Sequence, residues 1–216
     1  MLPTPTPNGL HEFTANVVAR YATPGARLAD LGAGPGAMSE RLQNRSYDVV
    51  AADRSREIYS GQYPFIALDL NHPEFAVQFG TSSFDLVLAV EVIEHLENPI
   101  SFLRNVARLL KPQAAAVITT PNVDSLPARL KFLLTGKIRM MDEHSDPTHI
   151  SPIFFDLFHR QFLPLAGLRI IEHLTFPANG YQLTRRPLRA PLGLLARALP
   201  GISLRGDHHV FVLGSS

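Results

Sequence analysis

Cysteine is absent from this 216-residue chain. That excludes a disulfide scaffold, a thiolate metal site and a cysteine nucleophile. Charge is also sparse. Asp, Glu, Lys and Arg make up 18% of the residues, and 20 basic against 19 acidic residues leave a formal net charge of +1. A dedicated nucleic-acid binder carries a clear basic excess, so no stable nucleic-acid partner is expected. No apolar run reaches the ~18 residues a transmembrane helix needs. The opening MLPTPTPNGL has no basic segment followed by an apolar one. It does not read as a secretory signal, and a cytoplasmic protein is the expectation.

What is present is a generous apolar fraction, 45%, enough for the core of one domain over residues 1–216. Residues 1–9 hold three prolines and predict a loose lead-in. Residues 11–21 predict a helix with Phe13, Val17, Val18 and Tyr21 on one side. Strand-like runs follow at 28–31, 49–52, 65–68, 84–90 and 114–119, most of them separated by helix-compatible stretches. Strands alternating with helices predict a parallel sheet buried on both faces. After the fifth strand, Ser151 and Pro152 predict a helix start, with Phe154, Phe155, Phe158 and Phe162 as its apolar stripe and Gly167 past its end. Two further strands are predicted at 168–176 and 209–213.

The strongest local signal is Leu28-Ala-Asp-Leu-Gly-Ala-Gly-Pro-Gly36, a strand running into a glycine-rich turn with a helix starting near Gly36. Gly32 and Gly34 allow a tight turn and close approach of backbone to a ligand, and the helix N-terminus offers N–H groups. Asp53 ends the second strand, where a carboxylate can accept both hydroxyls of a ribose. Together these read as adenosine recognition. Gly32, Gly34 and Ala37 also satisfy the dinucleotide pattern, so a nicotinamide-dependent oxidoreductase stays open at this point.

The third glycine, Gly36, and the acid Asp30 shift the balance. Over roughly residues 25–176 the chain resembles the class I S-adenosylmethionine-dependent methyltransferases. Asp30 to Gly36 matches their first motif, and Asp53 their ribose-binding acid. Asp69 matches the acid after their third strand. Phe84-Asp-Leu-Val-Leu-Ala-Val-Glu-Val-Ile-Glu-His-Leu matches their fourth-strand motif, and Thr119-Thr-Pro-Asn122 the end of their fifth strand. Within that superfamily the chain looks most similar to the ubiquinone-biosynthesis type of small-molecule O-methyltransferase. The resemblance implies an α/β, Rossmann-like sheet of seven strands, mostly parallel with the last antiparallel and with helices on both faces. It also implies that Asp30, Gly32, Ala33, Gly34, Gly36, Asp53, Arg54, Asp69, Leu70 and Glu91 line the cofactor site. Asp30 would then hold the amine of the cofactor's methionine part, directly or through water, and the loop N–H groups its carboxylate.

Glu91, Glu94 and His95 stand at i, i+3 and i+4, which puts them on one face of a helix. Two carboxylates and an imidazole suit a divalent cation such as Mg²⁺, with His149 as a fourth ligand. The arrangement is similar to that of the small-RNA 2′-O-methyltransferases, whose cation binds the acceptor's hydroxyls. A plain reading competes: acids at a helix start are favoured by its dipole, and either His95 or His149 can serve as general base without any metal. His144, Glu143 and His11 are further candidates without a spacing argument.

Two segments break the rhythm, 123–150 and 177–207. Long insertions of this kind are typically lids or binding elements. Both leave from carboxyl ends of strands, so they are expected to meet over the ligand site. In the first, residues 126–134 predict a short helix ended by Thr135-Gly136, with Lys131, Lys137, Arg139 and Met140-Met141 nearby. From Leu174 to Gly206 there is no acid, while Arg185, Arg186, Arg189, Arg197 and Arg205 are all basic. Leu188, Leu192, Leu195, Leu199 and Ile202 predict an amphipathic helix with a basic flank. It is a lid over the core, a peripheral membrane contact through 185–205, or a contact to an anionic or lipid-like acceptor.

The function expected is methyl transfer from S-adenosylmethionine, leaving S-adenosylhomocysteine, to a small-molecule acceptor at oxygen. The alternatives are an RNA 3′-terminal 2′-O-methyltransferase, the nicotinamide-dependent oxidoreductase, and a non-catalytic cofactor-binding protein of the same fold.

Overall fold

The computed structural model describes residues 9–216, so the lead-in expected over residues 1–9 lies, Gly9 apart, outside the described residues. The chain runs α1 (Leu10–Val18), β1 (Arg27–Leu31), α2 (Ala37–Gln43), β2 (Asp48–Asp53), β3 (Phe65–Ala67), β4 (Phe84–Val90), α3 (Pro99–Leu109) and β5 (Leu110–Pro121). It continues through α4 (Leu126–Thr135), α5 (Phe155–Leu157), α6 (Leu163–Leu165), β6 (Leu168–Phe176), α7 (Arg186–Ala198) and β7 (His208–Ser215). The strands form one seven-stranded sheet in the order β3-β2-β1-β4-β5-β7-β6. Pairing is parallel from β3 through β5, and β7 is antiparallel to both β5 and β6. This is the expected architecture, the last strand included.

Burial on both faces explains why the strands read as continuous apolar runs. Alternate residues of one strand feed opposite layers. Leu28, Val49, Leu86, Leu88, Val117 and Val210 pack under α1 and α2. Ala29, Leu31, Val87, Ile118 and Phe211 pack under α3 and the helix around Phe158. α3 shows how locally such a helix is specified. Asn98 caps it by accepting from Ser101 N at 2.9 Å, Pro99 opens its first turn, and Phe102, Leu103, Val106 and Leu109 face the core.

Several local expectations are corrected. No helix connects β2 to β3, and a 3₁₀ turn, Phe75–Gln78, is all that lies between β3 and β4. The fifth strand extends well beyond 114–119 at its start, since Leu110 already pairs with Phe84. Ser151 does not cap the following helix, because its hydroxyl donates to Leu96 O at 2.5 Å instead. The helix begins at Phe155, whose N–H is accepted by the Asp124 carboxylate at 2.6 Å. It then widens into a π-turn over Phe158–Phe162 before α6. Of the predicted stripe, Phe158 is buried and Phe155 and Phe162 pack against the same core, while Phe154 precedes the helix in extended conformation and is exposed.

The insertions 123–150 and 177–207 leave the same sheet edge, because β5 and β6 end on one side and β7 starts there. They are joined to each other. Leu126, Tyr181, Ala196 and Leu204 form a small apolar cluster with Leu192. Beside it, Arg139 donates to Asp207 at 2.9 Å, with the Asp207 side chain 1% exposed and that of Arg139 10%. The second Asp207 oxygen accepts from Gln182 N and Leu183 N. Breaking one partner of such a buried pair destabilises by about 3–5 kcal/mol. Asp207→Asn is therefore expected to lower urea-unfolding stability by that order, and a loss confined to a few tenths of a kcal/mol would show that the pair does not hold the two insertions.

Candidate active site

The site is built where β1, β2, β4 and β5 end. After Leu31 the chain must turn at once, and Gly32 takes φ +72° to do so. A Cβ there would stand 2.5 Å from Val92 Cγ2, so only glycine lets the loops after β1 and β4 meet. Gly36, at φ +96°, likewise carries no side chain because Tyr59 is packed against it. The loop amides do not point outward as free donors. Gly32 N and Ala33 N donate to Ala52 O, Gly34 N donates to Asp53 Oδ2 at 2.8 Å, and Gly36 N donates to Ala33 O. This corrects the expectation that these N–H groups wait for a ligand's carboxylate. Their bonds stiffen the turn, and the glycines' contribution is close approach.

Asp53, half-buried at the end of β2, is held between Gly34 N and Arg54 N, at 2.8 and 2.6 Å. Each of its oxygens keeps a second lone pair for a hydroxyl donor. Asp30 is different. It is 2% exposed and accepts from Ser39 Oγ at 2.5 Å. Burial pushes its carboxyl up to about 6, against the pull of the Ser39 hydrogen bond. Asp69 is exposed and pairs with Arg54 at 3.3 Å. The Asn71 N–H and the Arg54 charge hold it below the usual carboxylate range. Ala33 and Leu70 are buried, and the Leu70 side chain belongs to the core.

Beyond β4 the structure corrects the helix expected at 91–95. Glu91 lies outside any helix, at φ +54°, and the turn Ile93–His95 is 3₁₀. The three residues therefore do not share a helical face. The Glu91 carboxylate accepts from Thr119 Oγ1 at 2.9 Å and lies 2.8 Å from His208 Nδ1. Burial pushes its carboxyl up, but the charges of His208 and His149 and the Thr119 hydrogen bond together hold it below its ordinary value.

Glu94, His95 and His149 do converge, with one ligand atom from each lying within 4.8 Å of the others. Glu91 is not among them, so the predicted four-ligand set becomes three. Glu94 is fully buried, with Oε2 accepting from Thr120 Oγ1 at 3.0 Å and Oε1 lacking any partner. Burial, then the charge of Glu91, drives its carboxyl well above the ordinary range. His149 Nδ1 lies 2.7 Å from Met140 O, and in the neutral ring a proton on that nitrogen leaves Nε2 as a lone pair. His95 stacks edge-on against His149, centroids 4.6 Å apart, with its Nδ1 against Thr148. Burial, then the His149 charge, lowers the His95 imidazole. His11, half-buried on α1, is lowered mainly by burial and by Arg41. Glu143 and His144 sit on an exposed turn, where Lys137 pairs with Glu143.

Sequence reasoning missed His208, which adjoins Glu91 although it lies 117 positions further on, and the hydroxyls of Thr119 and Thr120, which serve Glu91 and Glu94 from opposite faces of β5. The Thr-Thr pair was visible as the end of the fifth strand. His208 had no local signal, because only the antiparallel register that sets it opposite Pro121 brings it to this edge.

Comparison with known proteins points one way. The family model described as a methyltransferase domain matches residues 9–176. A ubiquinone biosynthesis O-methyltransferase of Caulobacter vibrioides is 36% identical over 136 residues, 60% of this chain and 52% of that protein. One from Xanthomonas campestris pv. campestris is 32% identical over 133 residues, 56% and 52% of the two chains. The chain thus spans about half the length of the curated relatives it matches. Among solved structures, a SAM-dependent methyltransferase from Archaeoglobus fulgidus superimposes with a TM-score of 0.66 at 17% identity, over 94% of this chain and 93% of that one. The [4+2]-cyclase SpnF does so at 0.61 and 16%, over 95% and 81%. A cyclase on the same fold means that architecture alone does not name the reaction.

Asp30 yields a direct test. Its native carboxyl titrates near 6 rather than 3.8, so the native state holds that proton more tightly than the unfolded chain. Wild-type stability therefore falls as pH rises through about 4 to 6, by about 3 kcal/mol at most for two pKa units. Asp30→Asn removes this burden and is expected to be more stable than wild type at pH 8, with the gap closing toward pH 4 in urea-unfolding series. A gap independent of pH would show that burial does not strain this carboxyl.

Proposed function

Because the chain belongs to the methyltransferase domain family, we propose that it transfers a methyl group from S-adenosylmethionine to an oxygen of a small-molecule acceptor. The observation that carries this reading is the contact of Gly32 with Val92, which sets the glycine loop against the turn bearing Glu91, Glu94 and His95. A cofactor site and a polar constellation suited to an acceptor hydroxyl then lie side by side. S-adenosylmethionine supplies a methyl group already activated by its positive sulfur.

The residues present fit that cofactor. Asp53 keeps acceptor capacity for ribose hydroxyls, and Gly32, Ala33, Gly34 and Gly36 let the backbone approach closely. Asp69, with Arg54 and the Leu70 backbone, borders the space beyond β3. Asp30 acts from beneath the loop through Ser39, and Glu91 presents a carboxylate beside His208. Holding reactants in line supplies much of such a reaction's acceleration, up to about 7–11 kcal/mol when orientation is optimal. What remains is removal of the acceptor's proton.

For that step the orphaned Glu94 Oε1 supports a divalent cation held by Glu94, His95 and His149, a set of one carboxylate and two imidazoles that suits Mn²⁺ or Zn²⁺ better than the Mg²⁺ expected for two carboxylates. A buried carboxyl with a vacant oxygen beside two imidazoles has the donor set for one. The cation would bind the acceptor's oxygen and make its proton easier to lose. A second reading leaves out the metal and uses His149, or His95, as the base, supported by the Met140 contact that frees His149 Nε2.

The acceptor we propose is amphipathic, anionic or lipid-like. A hollow of about 300 Å³ under α4, lined by Val123, Ala128, Phe132, Ile138 and Phe154 with Asp124 and Arg129, suits its apolar part. The curated relatives are named for ubiquinone biosynthesis, which agrees with such chemistry. A cytoplasmic location belongs to the same proposal, and among the described residues no helix is long and apolar enough to cross a membrane.

Thermal unfolding with S-adenosylhomocysteine or NAD⁺, each with and without Mg²⁺ or Mn²⁺, tests these points. Ligand at about 100 Kd adds about 2.7 kcal/mol, a rise of about 5–10 °C for a chain of this size. S-adenosylhomocysteine is expected to give that shift and NAD⁺ none, and Asp53→Ala is expected to weaken the first at least about tenfold, the effect of losing a charge-assisted hydrogen bond. Mn²⁺ is expected to add an increment, larger than that of Mg²⁺, that Glu94→Gln and His149→Ala remove. A shift with NAD⁺ alone would overturn the proposal. Binding without methylation across an acceptor panel would leave a non-catalytic protein, and methylation of RNA 3′ ends would replace the acceptor class.

A further inference from the structure

The apolar side of α7 faces away from the protein. Helical spacing groups Pro187, Pro191, Leu194 and Ala198 on one side, with Leu188, Leu195 and Leu199 beside them. What α7 turns inward is instead Leu192, Gly193 and Ala196. Leu194 is 72% exposed, and Leu188 and Leu195 are 48% exposed. This corrects the predicted stripe, of which only Leu192 packs inward. α4, which packs on α7, repeats the pattern. Its first turn is buried at Leu126 and Ala128, while Leu133 and Leu134 near its end are 78% and 79% exposed. Large apolar side chains gathered on two adjoining helices, at the edge of a protein with an ample core elsewhere, mark an interaction surface.

Charge identifies the partner. Arg185, Arg186 and Arg197 are exposed, and among the described residues none of them has an acidic partner. The segment from Leu174 to Gly206 contains no acid at all. Arg186 and Arg197 lie on the flank of α7 beside its leucines. A second copy of the chain would bring a like set of arginines against these. An anionic bilayer surface satisfies them while taking up the leucines, and the long arginine side chains can reach the headgroups.

We infer that α4 and α7 together form a docking face for an anionic lipid bilayer, with the hollow under α4 opening beside it. Arg139 and Asp207 tie both insertions to one another, so the two helices present this face as a unit. The inference concerns binding and does not depend on the methyl-transfer reading, so either can fail alone.

Flotation with vesicles of phosphatidylcholine, with and without phosphatidylglycerol, tests it. The protein is expected to bind the phosphatidylglycerol vesicles and to be released by high salt, as screening of surface charge requires. Arg185→Ser/Arg186→Ser/Arg197→Ser is expected to weaken binding about tenfold or more. Leu133→Glu/Leu194→Glu is expected to abolish it without lowering the melting temperature, because both side chains are exposed. The chain has no tryptophan, so Leu134→Trp provides a single tryptophan whose fluorescence, excited selectively over that of the tyrosines, is expected to shift to the blue on vesicles. No binding to phosphatidylglycerol vesicles would overturn the inference. So would binding that survives Leu133→Glu/Leu194→Glu, a Leu134→Trp emission that vesicles do not move, or a solution dimer that this variant converts to monomer.

Discussion

The close approach of Gly32 to Val92 is the constraint on which the site depends. Two loops from neighbouring parallel strands, β1 and β4, can meet only where one of them has no side chain, and a Cβ at Gly32 would come within 2.5 Å of Val92 Cγ2. Through that contact the glycine loop, with Asp30 and Asp53, shares a wall with the turn carrying Glu91, Glu94 and His95. The loop is stiff because its own amides are bonded to Ala52 and Asp53. Preorganisation of this kind means that a ligand need not order the backbone that receives it.

Around this rigid edge lie groups under electrostatic tension. Asp30 and Glu94 are carboxyls pushed up by burial, while Glu91 is kept charged by His208 and Thr119 in a left-handed backbone conformation. Carboxyls driven apart in this way are typical of sites that handle protons or cations, because each environment selects a different protonation state. The two threonines at the end of β5 serve both acids, one from each face of the strand, which makes the fifth strand as much a part of the site as the fourth.

The insertions supply the variable part. Their cap is anchored by the Arg139–Asp207 pair and a small apolar cluster, yet the helices themselves bury little of their apolar surface against the protein. A cap rigid at its root and apolar at its tip suits a role in contacting something other than the domain's own core.

Much of this was legible in the chain. Continuous apolar runs reveal strands buried on both faces, and the glycine turn with Asp30 and Asp53 marks the candidate site, because both patterns arise from neighbours in sequence. Asn98-Pro99 marks a helix start for the same reason. Less legible were features set by residues far apart. Asp124, not Ser151, caps the helix at Phe155, which leaves Phe154 outside the helix and exposed. The spacing of Glu91, Glu94 and His95 suggested one helical face, but the strained residue after β4 and a 3₁₀ turn sent Glu91 to His208 and Glu94 to the two histidines. Local periodicity and turn chemistry thus determined the sheet, the turn at its candidate site and most of the candidate residues. Which of those residues face one another, and which side of α7 is left uncovered, were decided by register and packing between distant segments, terms that appear only once the chain has closed on itself.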